Sequence, residues 1–212
     1  MKHIKIFELT EQTIKRKKNK FVTSIMNGDI ISVKKIIKSG FDLNSKITDT
    51  DTPLIFAVEQ NRVEMVQLLI DSGADVNYTD KKVFSGGYGS GSSNQGYTAL
   101  ICASALIHPE RLKNNAWKPF VDRNHAIIKL LIDAGADLNI QTAIGWTALM
   151  YSADWGNIEV CKILIDAGAN WYIQNRNGHD FIDLLNDKNR EIIMNLYPMQ
   201  YSELINVKKY NL

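Results

Sequence analysis

Four short glycine phrases recur along this sequence of 212 residues and constrain its fold more than any other feature. They read KSGFDLN, DSGADVN, DAGADLN and DAGANWY, with glycines at Gly40, Gly73, Gly135 and Gly168. The first and last steps between these glycines are both 33 residues, while the middle step is 62 residues, 29 longer than the others. A fixed period of this length indicates stacked repeat units, one of them enlarged.

A second phrase lies upstream of the last three glycines at a matching offset. It reads TPLIFA from Thr52, TALICA from Thr98 and TALMYS from Thr147, and the first and last threonines each precede the next glycine by 21 residues. Each threonine is predicted to be a helix N-cap, and Pro53 suits the first helical position. Mostly apolar segments, VEMVQLLI, HAIIKLLI and IEVCKILI, predict a second helix in each unit, which the glycine ends.

With these phrases and this spacing, the chain resembles the ankyrin-repeat family over about residues 19–200. The resemblance implies an all-α solenoid of stacked helix-turn-helix units with β-hairpin-type loops between repeats. We divide the chain into a basic N-terminal segment (1–18), an N-terminal cap (19–47), three repeats (48–80, 81–142 and 143–175), a C-terminal cap (176–200) and a C-terminal tail (201–212). The family's asparagines after the glycine turns correspond to Asn44, Asn77 and Asn139, which we expect to bond local backbone.

The 29 extra residues of the enlarged repeat fall at two places, 13 before Thr98 and 16 after the first helix. The first insertion contains the Gly/Ser-rich finger 85–93, which lacks the Gly-Lys-Ser/Thr ending of a phosphate-binding loop, so a flexible linker is favoured over a nucleotide site. The second insertion, 108–124, carries Trp117 and Phe120. We favour a local mini-core on the neighbouring repeat for these two rings over a partner-binding knob.

Charge and cysteine content narrow the class of protein. Residues 1–20 hold seven Lys or Arg and two Glu, which leaves 18 basic and 21 acidic residues in the rest of the chain. The two cysteines, Cys102 and Cys161, lie in predicted helices without metal-ligand spacing, so buried thiols in a reducing compartment are expected. No segment has the apolar length of a signal peptide or a membrane span, which predicts a cytoplasmic protein and leaves open secretion as an effector.

No catalytic or metal-binding pattern stands out. The four histidines are scattered, no serine or cysteine has an identifiable base, and the acidic run at residues 48–52 lies at a hairpin tip where capping and solvation explain it. We therefore predict no enzyme activity, no cofactor and no metal.

The resemblance also implies where a partner binds. In the ankyrin family the concave face is formed by the hairpin residues before each first helix and by the residues at that helix's end. On the first half of that face this correspondence places Asp49, Asp51, Glu59 and Gln60. The second half carries the partner-binding residues that we predict: Tyr97, Ile144, Trp146, Asp154, Trp155, Arg176 and His179. Exposed aromatic rings flanked by arginine are typical of binding hot spots, although packing of Trp146 or Trp155 on the next repeat is the alternative.

The predicted function is therefore that of a protein-protein interaction module, monomeric by itself, which binds an unidentified protein as an inhibitor or adaptor. An alternative is association with nucleic acid or another anionic surface through the basic stretch KRKKNK at residues 15–20. This stretch is short and lacks interleaved aromatic residues, so a solvated helix face explains it equally well, and nucleic acid is the less favoured partner.

Overall fold

The computed structural model describes residues 2–49, 51–79, 96–107 and 115–210. Its helices, numbered in chain order, are α1 Lys2–Asn27, α2 Ile30–Lys38, α3 Pro53–Glu59, α4 Val63–Asp71, α5 Ala99–Ala105, α6 Lys118–Asp133, α7 Ala148–Asp154, α8 Ile158–Asp166, α9 Phe181–Leu184, α10 Asp187–Leu196 and α11 Pro198–Tyr210, and a 3₁₀ turn, Asn115–Trp117, precedes α6. The described residues contain no β-strand.

The helices form two stacked rows. The first helices of successive units, α1, α3, α5, α7 and α9, pack side by side in one row, and α4, α6 and α8 pack in the other. The core lies between the rows, where Leu54, Leu100 and Leu149 of three successive first helices are almost completely buried. The predicted all-α ankyrin-repeat solenoid is confirmed, since each helix pair buries its apolar surface against its neighbours.

Threonine caps begin the first helices as predicted. The side-chain oxygens of Thr52, Thr98 and Thr147 accept hydrogen bonds from the N–H groups three residues later, at 3.4, 3.2 and 3.3 Å. In the last unit Asp180 replaces threonine and forms a capping box with Asp183, in which each side chain accepts from the other's backbone N–H. A single type of local device therefore sets the start of four first helices.

The loops between repeats turn back on themselves without forming strands in the described ranges. Within each loop a backbone N–H donates to the carbonyl oxygen four residues later, from Ile47 to Asp51 and from Thr142 to Trp146, both at 2.9 Å. Neighbouring loops also touch, because Arg176 N–H donates to the Ile144 carbonyl oxygen at 3.1 Å. Gly145 makes this approach possible: it has φ +81°, and a Cβ there would lie 2.9 Å from the Arg176 nitrogen.

The asparagines that follow the glycine turns connect repeats, so the expectation that they bond local backbone is wrong. Side-chain oxygens of Asn44, Asn77 and Asn139 accept from backbone N–H groups of Asp75, Asp137 and Asn170, each about one repeat further along the chain, at 2.8–2.9 Å. The local turn bonds are made by the residue two positions earlier, as when Asp42 accepts from Asn44 N–H. Each asparagine is therefore free to reach the next unit.

The second insertion lengthens a helix. Its residues 108–114 lie outside the described ranges, as does the Gly/Ser finger 85–93, but the rest forms the 3₁₀ turn and the first turns of α6, which has 16 residues against nine in α4 and α8. Trp117 and Phe120 meet edge to face at 5.9 Å between ring centroids, and Asn61 Nδ2 donates to the Phe120 carbonyl oxygen at 2.8 Å. The insertion thus contacts the preceding repeat, while Trp117 is 41% exposed.

Helices continue through both predicted terminal boundaries. The basic segment 1–18 and the N-terminal cap share α1, and the predicted tail 201–212 begins inside α11. Leu204 of α11 belongs to the core at 2% exposure, and Lys208 Nζ lies 2.7 Å from carboxylate oxygens of both Asp180 and Asp183. As far as it is described, the C-terminal segment therefore covers the last unit of the stack.

Candidate functional site: the concave face

Three positions in each unit define the surface that we call the concave face: the residue before the cap threonine, and the fourth and seventh residues after it. The last two are three residues apart in a helix and therefore lie on the same side. The residues at these positions are Asp51, Phe56 and Glu59 in the first regular repeat, Tyr97, Cys102 and Ala105 in the enlarged repeat, and Trp146, Tyr151 and Asp154 in the second regular repeat.

Three aromatic rings form the middle of this face. The Tyr97 hydroxyl donates to the Tyr151 hydroxyl at 2.7 Å, and the Trp146 ring lies 5.0 Å from the Tyr151 ring between centroids. Burial and this hydrogen bond raise the pKa of Tyr97, so its hydroxyl stays protonated and continues to donate. Because the cluster crosses from the enlarged repeat to the next one, it also joins the two units.

The exposure predicted for Tyr97 is wrong. Only 7% of this residue is exposed, because its ring lies 5.4 Å from that of Tyr151 and its hydroxyl points inward to the hydrogen bond. Trp146 is half-buried and packs on Tyr151 of its own repeat and on the core. Of these two residues Trp146 is therefore the more exposed, and both rings contact Tyr151.

Acidic side chains form the part of the face contributed by the first regular repeat. Asp51 is 5% exposed, so the expectation that solvation explains this acidic stretch is wrong for it. One carboxylate oxygen, Oδ2, accepts from the Thr48 hydroxyl at 2.7 Å, whereas the buried Oδ1 makes no hydrogen bond. Burial, together with the charge of Asp51, raises the pKa of Glu59 to about 7.

Cys102 lies between the acidic and aromatic parts. Burial raises the pKa of its thiol, and the negative charges of Glu59 and Asp51 raise it further. The same thiol acts electrostatically on Tyr97 and Tyr151. These interactions show that the two carboxylates and the two tyrosines lie in one region of the face, around the Cys102 thiol. The raised pKa keeps this thiol neutral, and a neutral thiol has low reactivity.

The remaining predicted residues lie towards the C-terminal end of the stack. Asp154 is exposed at the end of α7 and is close enough to Tyr151 to raise its pKa. Arg176 and His179 are exposed on the last described loop, where the Arg176 backbone bonds to half-buried Ile144. Trp155 follows α7 whereas Trp146 precedes it, so about 13 Å of helix axis separates the backbone positions of the two tryptophans.

Sequence reasoning did not select Tyr151 and Cys102 as members of the site. A sequence signal for these two residues was available. Each is the fourth residue after a cap threonine, and in a helix the fourth residue lies on the same face as the seventh residue after that threonine. The sequence analysis assigned Asp51 and Glu59 to the face but did not predict their burial. Burial depends on contacts between repeats, and the repeat period gives no information on those contacts.

Other kinds of site find no support in the described ranges. They contain no group of three or more metal-ligating side chains, and no described helix is long and apolar enough to span a membrane. The basic stretch 15–20 lies on α1 with most of its side chains exposed, as a solvated helix face requires.

Comparison with known proteins decides the family. A family model described as ankyrin repeats (3 copies) matches residues 21–114 and 116–194. The chain belongs to the ankyrin-repeat family. Ankyrin repeats generally act as non-enzymatic modules for protein-protein interaction, which agrees with the predicted class of function.

The relatives of this ankyrin-repeat chain are larger proteins. It is 29% identical over 144 residues to "Ankyrin repeat, SAM and basic leucine zipper domain-containing protein 1" of Rhinolophus ferrumequinum, covering 68% of this chain and 25% of that protein. The human protein of the same name is 27% identical over 147 residues, covering 69% of this chain and 26% of its own length. A putative ankyrin repeat protein of Fowlpox virus (strain NVSL) is 26% identical over 163 residues, covering 69% and 20%. The chain thus spans about a quarter or less of these relatives.

Proposed function

We propose that this ankyrin-repeat chain binds one protein partner through its concave face and acts on that partner as an inhibitor or adaptor. The observation that carries the proposal is the aromatic cluster of Trp146, Tyr151 and Tyr97, in which the half-buried Trp146 ring is presented on a rigid support. A large ring held in one orientation loses little conformational entropy when a partner covers it, so it contributes strongly to binding.

Polar groups around the cluster support a protein as the partner. Asp154, Arg176 and His179 are exposed beside the aromatic residues, and an aromatic centre with a polar rim is the usual composition of a protein interface. The relatives are ankyrin-repeat proteins as well, and recognition of partners is the general role of such repeats. The family match concerns the repeats alone and gives the alternative of nucleic-acid binding through residues 15–20 no support.

Affinity capture with matched tryptophan variants tests the proposal. Wild-type protein, Trp146→Ala, Trp155→Ala and Trp117→Ala are each immobilised and exposed to nuclease-treated lysate of the source organism, and retained proteins are quantified by mass spectrometry. Trp117 is the control, because it is exposed in the 3₁₀ turn before α6 and lies outside the concave face. We expect Trp146→Ala to lose a stoichiometric protein, with a loss in binding free energy of about 2 kcal/mol or more, while Trp117→Ala retains it.

Circular dichroism and thermal unfolding establish that each variant keeps its fold. Equal retention by Trp146→Ala and wild type would refute the aromatic cluster as the binding site. Loss of the partner from Trp117→Ala would instead place the interface on the second insertion. The Trp155→Ala variant decides whether the far end of α7 takes part.

A further inference from the structure

Two carboxylates on the concave face are buried without a cation. In the described part of the chain, no lysine or arginine forms an ion pair with Asp51 or Glu59. By contrast, Asp180, which is buried to a similar extent, is neutralised by Lys208 at 2.7 Å. Burial of a carboxylate is costly unless a charge or hydrogen bonds compensate it, and neither the buried Asp51 nor the partly buried Glu59 has a cation beside it among the described residues.

The Asp51 carboxylate is only half satisfied. Its Oδ2 is held by the Thr48 hydroxyl, whereas Oδ1 is buried and accepts no hydrogen bond. The Asp51 backbone N–H donates to the same Thr48 oxygen at 2.8 Å, which fixes the aspartate in this orientation. A carboxylate oxygen held in place without a donor is an acceptor that an incoming cationic group can satisfy after a small shift of the loop.

Glu59 extends this acidic site along the face. It lies at the end of α3, partly exposed, on the same side as Phe56 and close enough to Asp51 for that charge to act on it. The titratable groups that act on this region are Asp51 from the preceding loop and the neutral Cys102 thiol from α5. All of these groups are anionic or neutral, so the region attracts positive charge.

We propose that Asp51 and Glu59 receive a lysine or arginine side chain of the protein partner, whose neighbouring residues cover the Tyr151–Trp146 cluster. This inference rests on the proposed function, since it names the chemistry that the concave face recognises. Charge complementarity supports it, because the opposite end of the face carries the exposed cation Arg176. A partner segment therefore lies with its basic end at the first regular repeat.

A pair of synthetic peptides provides the probe. N-acetylated, C-amidated Ala-Arg-Ala-Arg-Ala is titrated into the full chain and followed by NMR, with the same peptide carrying glutamate in place of arginine as the charge control. Glu59→Gln is the test variant, because its side chain is partly exposed and the substitution preserves its size. Glu64→Gln is the matched control, because Glu64 is an exposed glutamate of the same repeat that lies on α4, outside the concave face.

We expect the arginine peptide to shift resonances of Glu59 and Tyr97, and the glutamate peptide to bind more weakly or not at all. Glu59→Gln lowers affinity for the arginine peptide about fivefold to tenfold, whereas Glu64→Gln changes it less than about twofold. Bound peptide also moves the titration midpoint of the Glu59 carboxyl carbon to lower pH, because a nearby cation favours the charged carboxylate. Affinity consequently increases between pH 6 and pH 8 in wild type but not in Glu59→Gln.

Three results would overturn the inference: no binding of the arginine peptide at millimolar concentration, equal binding of both peptides, or an unchanged affinity in Glu59→Gln. Asp51→Asn is a second variant, and its binding is measured only after unfolding shows that it is folded. The outcome is separate from that of the capture experiment. Peptide binding that depends on Glu59, combined with full capture by Trp146→Ala, would refute the aromatic cluster and keep the acidic site. The reverse combination would keep the cluster and refute the acidic site.

Discussion

The two regular repeats have the same framework and opposite surfaces. Residues 48–79 and 143–175 share the threonine cap, the paired helices and the glycine turn, yet Asp51 and Glu59 of the first correspond to Trp146 and Asp154 of the second. The framework residues occupy the same places in both repeats, while the side chains on the face differ. Repeat proteins can therefore vary the chemistry of the face without changing the backbone.

The largest expected effect concerns the shared framework, at the contact between neighbouring loops. We expect Gly145→Ala to lower the free energy of unfolding by about 3 kcal/mol and Gly135→Ala by about 1 kcal/mol. Both glycines have positive φ, but a Cβ at Gly145 would meet the next loop at 2.9 Å, whereas one at Gly135 has no atom within 4 Å. Urea unfolding followed by circular dichroism measures the difference, and equal losses would show that loop contact is unimportant.

The second prediction compares how Glu59 and Asp154, at equivalent positions of the two regular repeats, make the stability depend on pH. The pKa of Glu59 is raised to about 7 from an ordinary value of 4.5, so the folded state holds this proton more tightly than the unfolded chain. The resulting stability is fully present below about pH 4.5 and is lost as the pH rises through 7. Relative to wild type, Glu59→Gln should therefore gain about 1–2 kcal/mol between pH 4 and pH 8, after allowance for solvent screening.

Asp154→Asn serves as the matched variant for this titration. Burial raises the pKa of Asp154 too, so the sign of its effect is the same, but the side chain is exposed and has no acidic neighbour comparable to Asp51. We therefore expect Asp154→Asn to change the pH dependence of stability less than Glu59→Gln does. Unfolding curves collected from pH 4 to pH 8 decide this, and an equal or larger effect at Asp154 would remove the distinction between the two repeats.

A third prediction states that the caps of the two repeats are equivalent. Thr52→Ala and Thr147→Ala should each cost about 1 kcal/mol, because each removes one hydrogen bond of similar length to a helix N-terminus. Thermal and urea unfolding of both variants provide the values. A clear difference between the two losses of stability would mean that Pro53, which follows only the first threonine, also stabilises the start of the helix.

The smallest effect is expected where the two repeats differ in the core. Ser152 and Cys161 lie 3.2 Å apart between Oγ and Sγ, and the equivalent residues of the first regular repeat are Ala57 and Val66. We expect Ser152→Ala combined with Cys161→Val to change the free energy of unfolding by less than about 1 kcal/mol, since both polar partners leave together. A double-mutant cycle tests this, and a larger loss would show that the two cores are not interchangeable.

Much of the fold followed from local sequence signals. Thr52, Thr98 and Thr147 were predicted as caps, and the enlarged repeat was located, because capping and helix periodicity act over a few residues. The candidate site was less accessible. The correspondence with ankyrin-family positions placed Tyr97 on an exposed surface and missed Tyr151, although these two residues, 54 positions apart, share a hydrogen bond. Hydrogen bonds between repeats, including those of the turn asparagines, depend on how the units stack. The sequence of a single unit does not contain that information.

The sequence by itself determined the family, the repeat period and the caps, because each of these follows from local spacing. Only the tertiary structure decided which positions of the concave face are reachable and what charge they carry. Tyr97 became a buried partner of Tyr151, and Asp51 and Glu59 became acids with no cation beside them in the described residues, because stacking brought residues of neighbouring units together and removed water between them. Burial and electrostatic coupling are properties of that assembly and have no counterpart in the linear pattern.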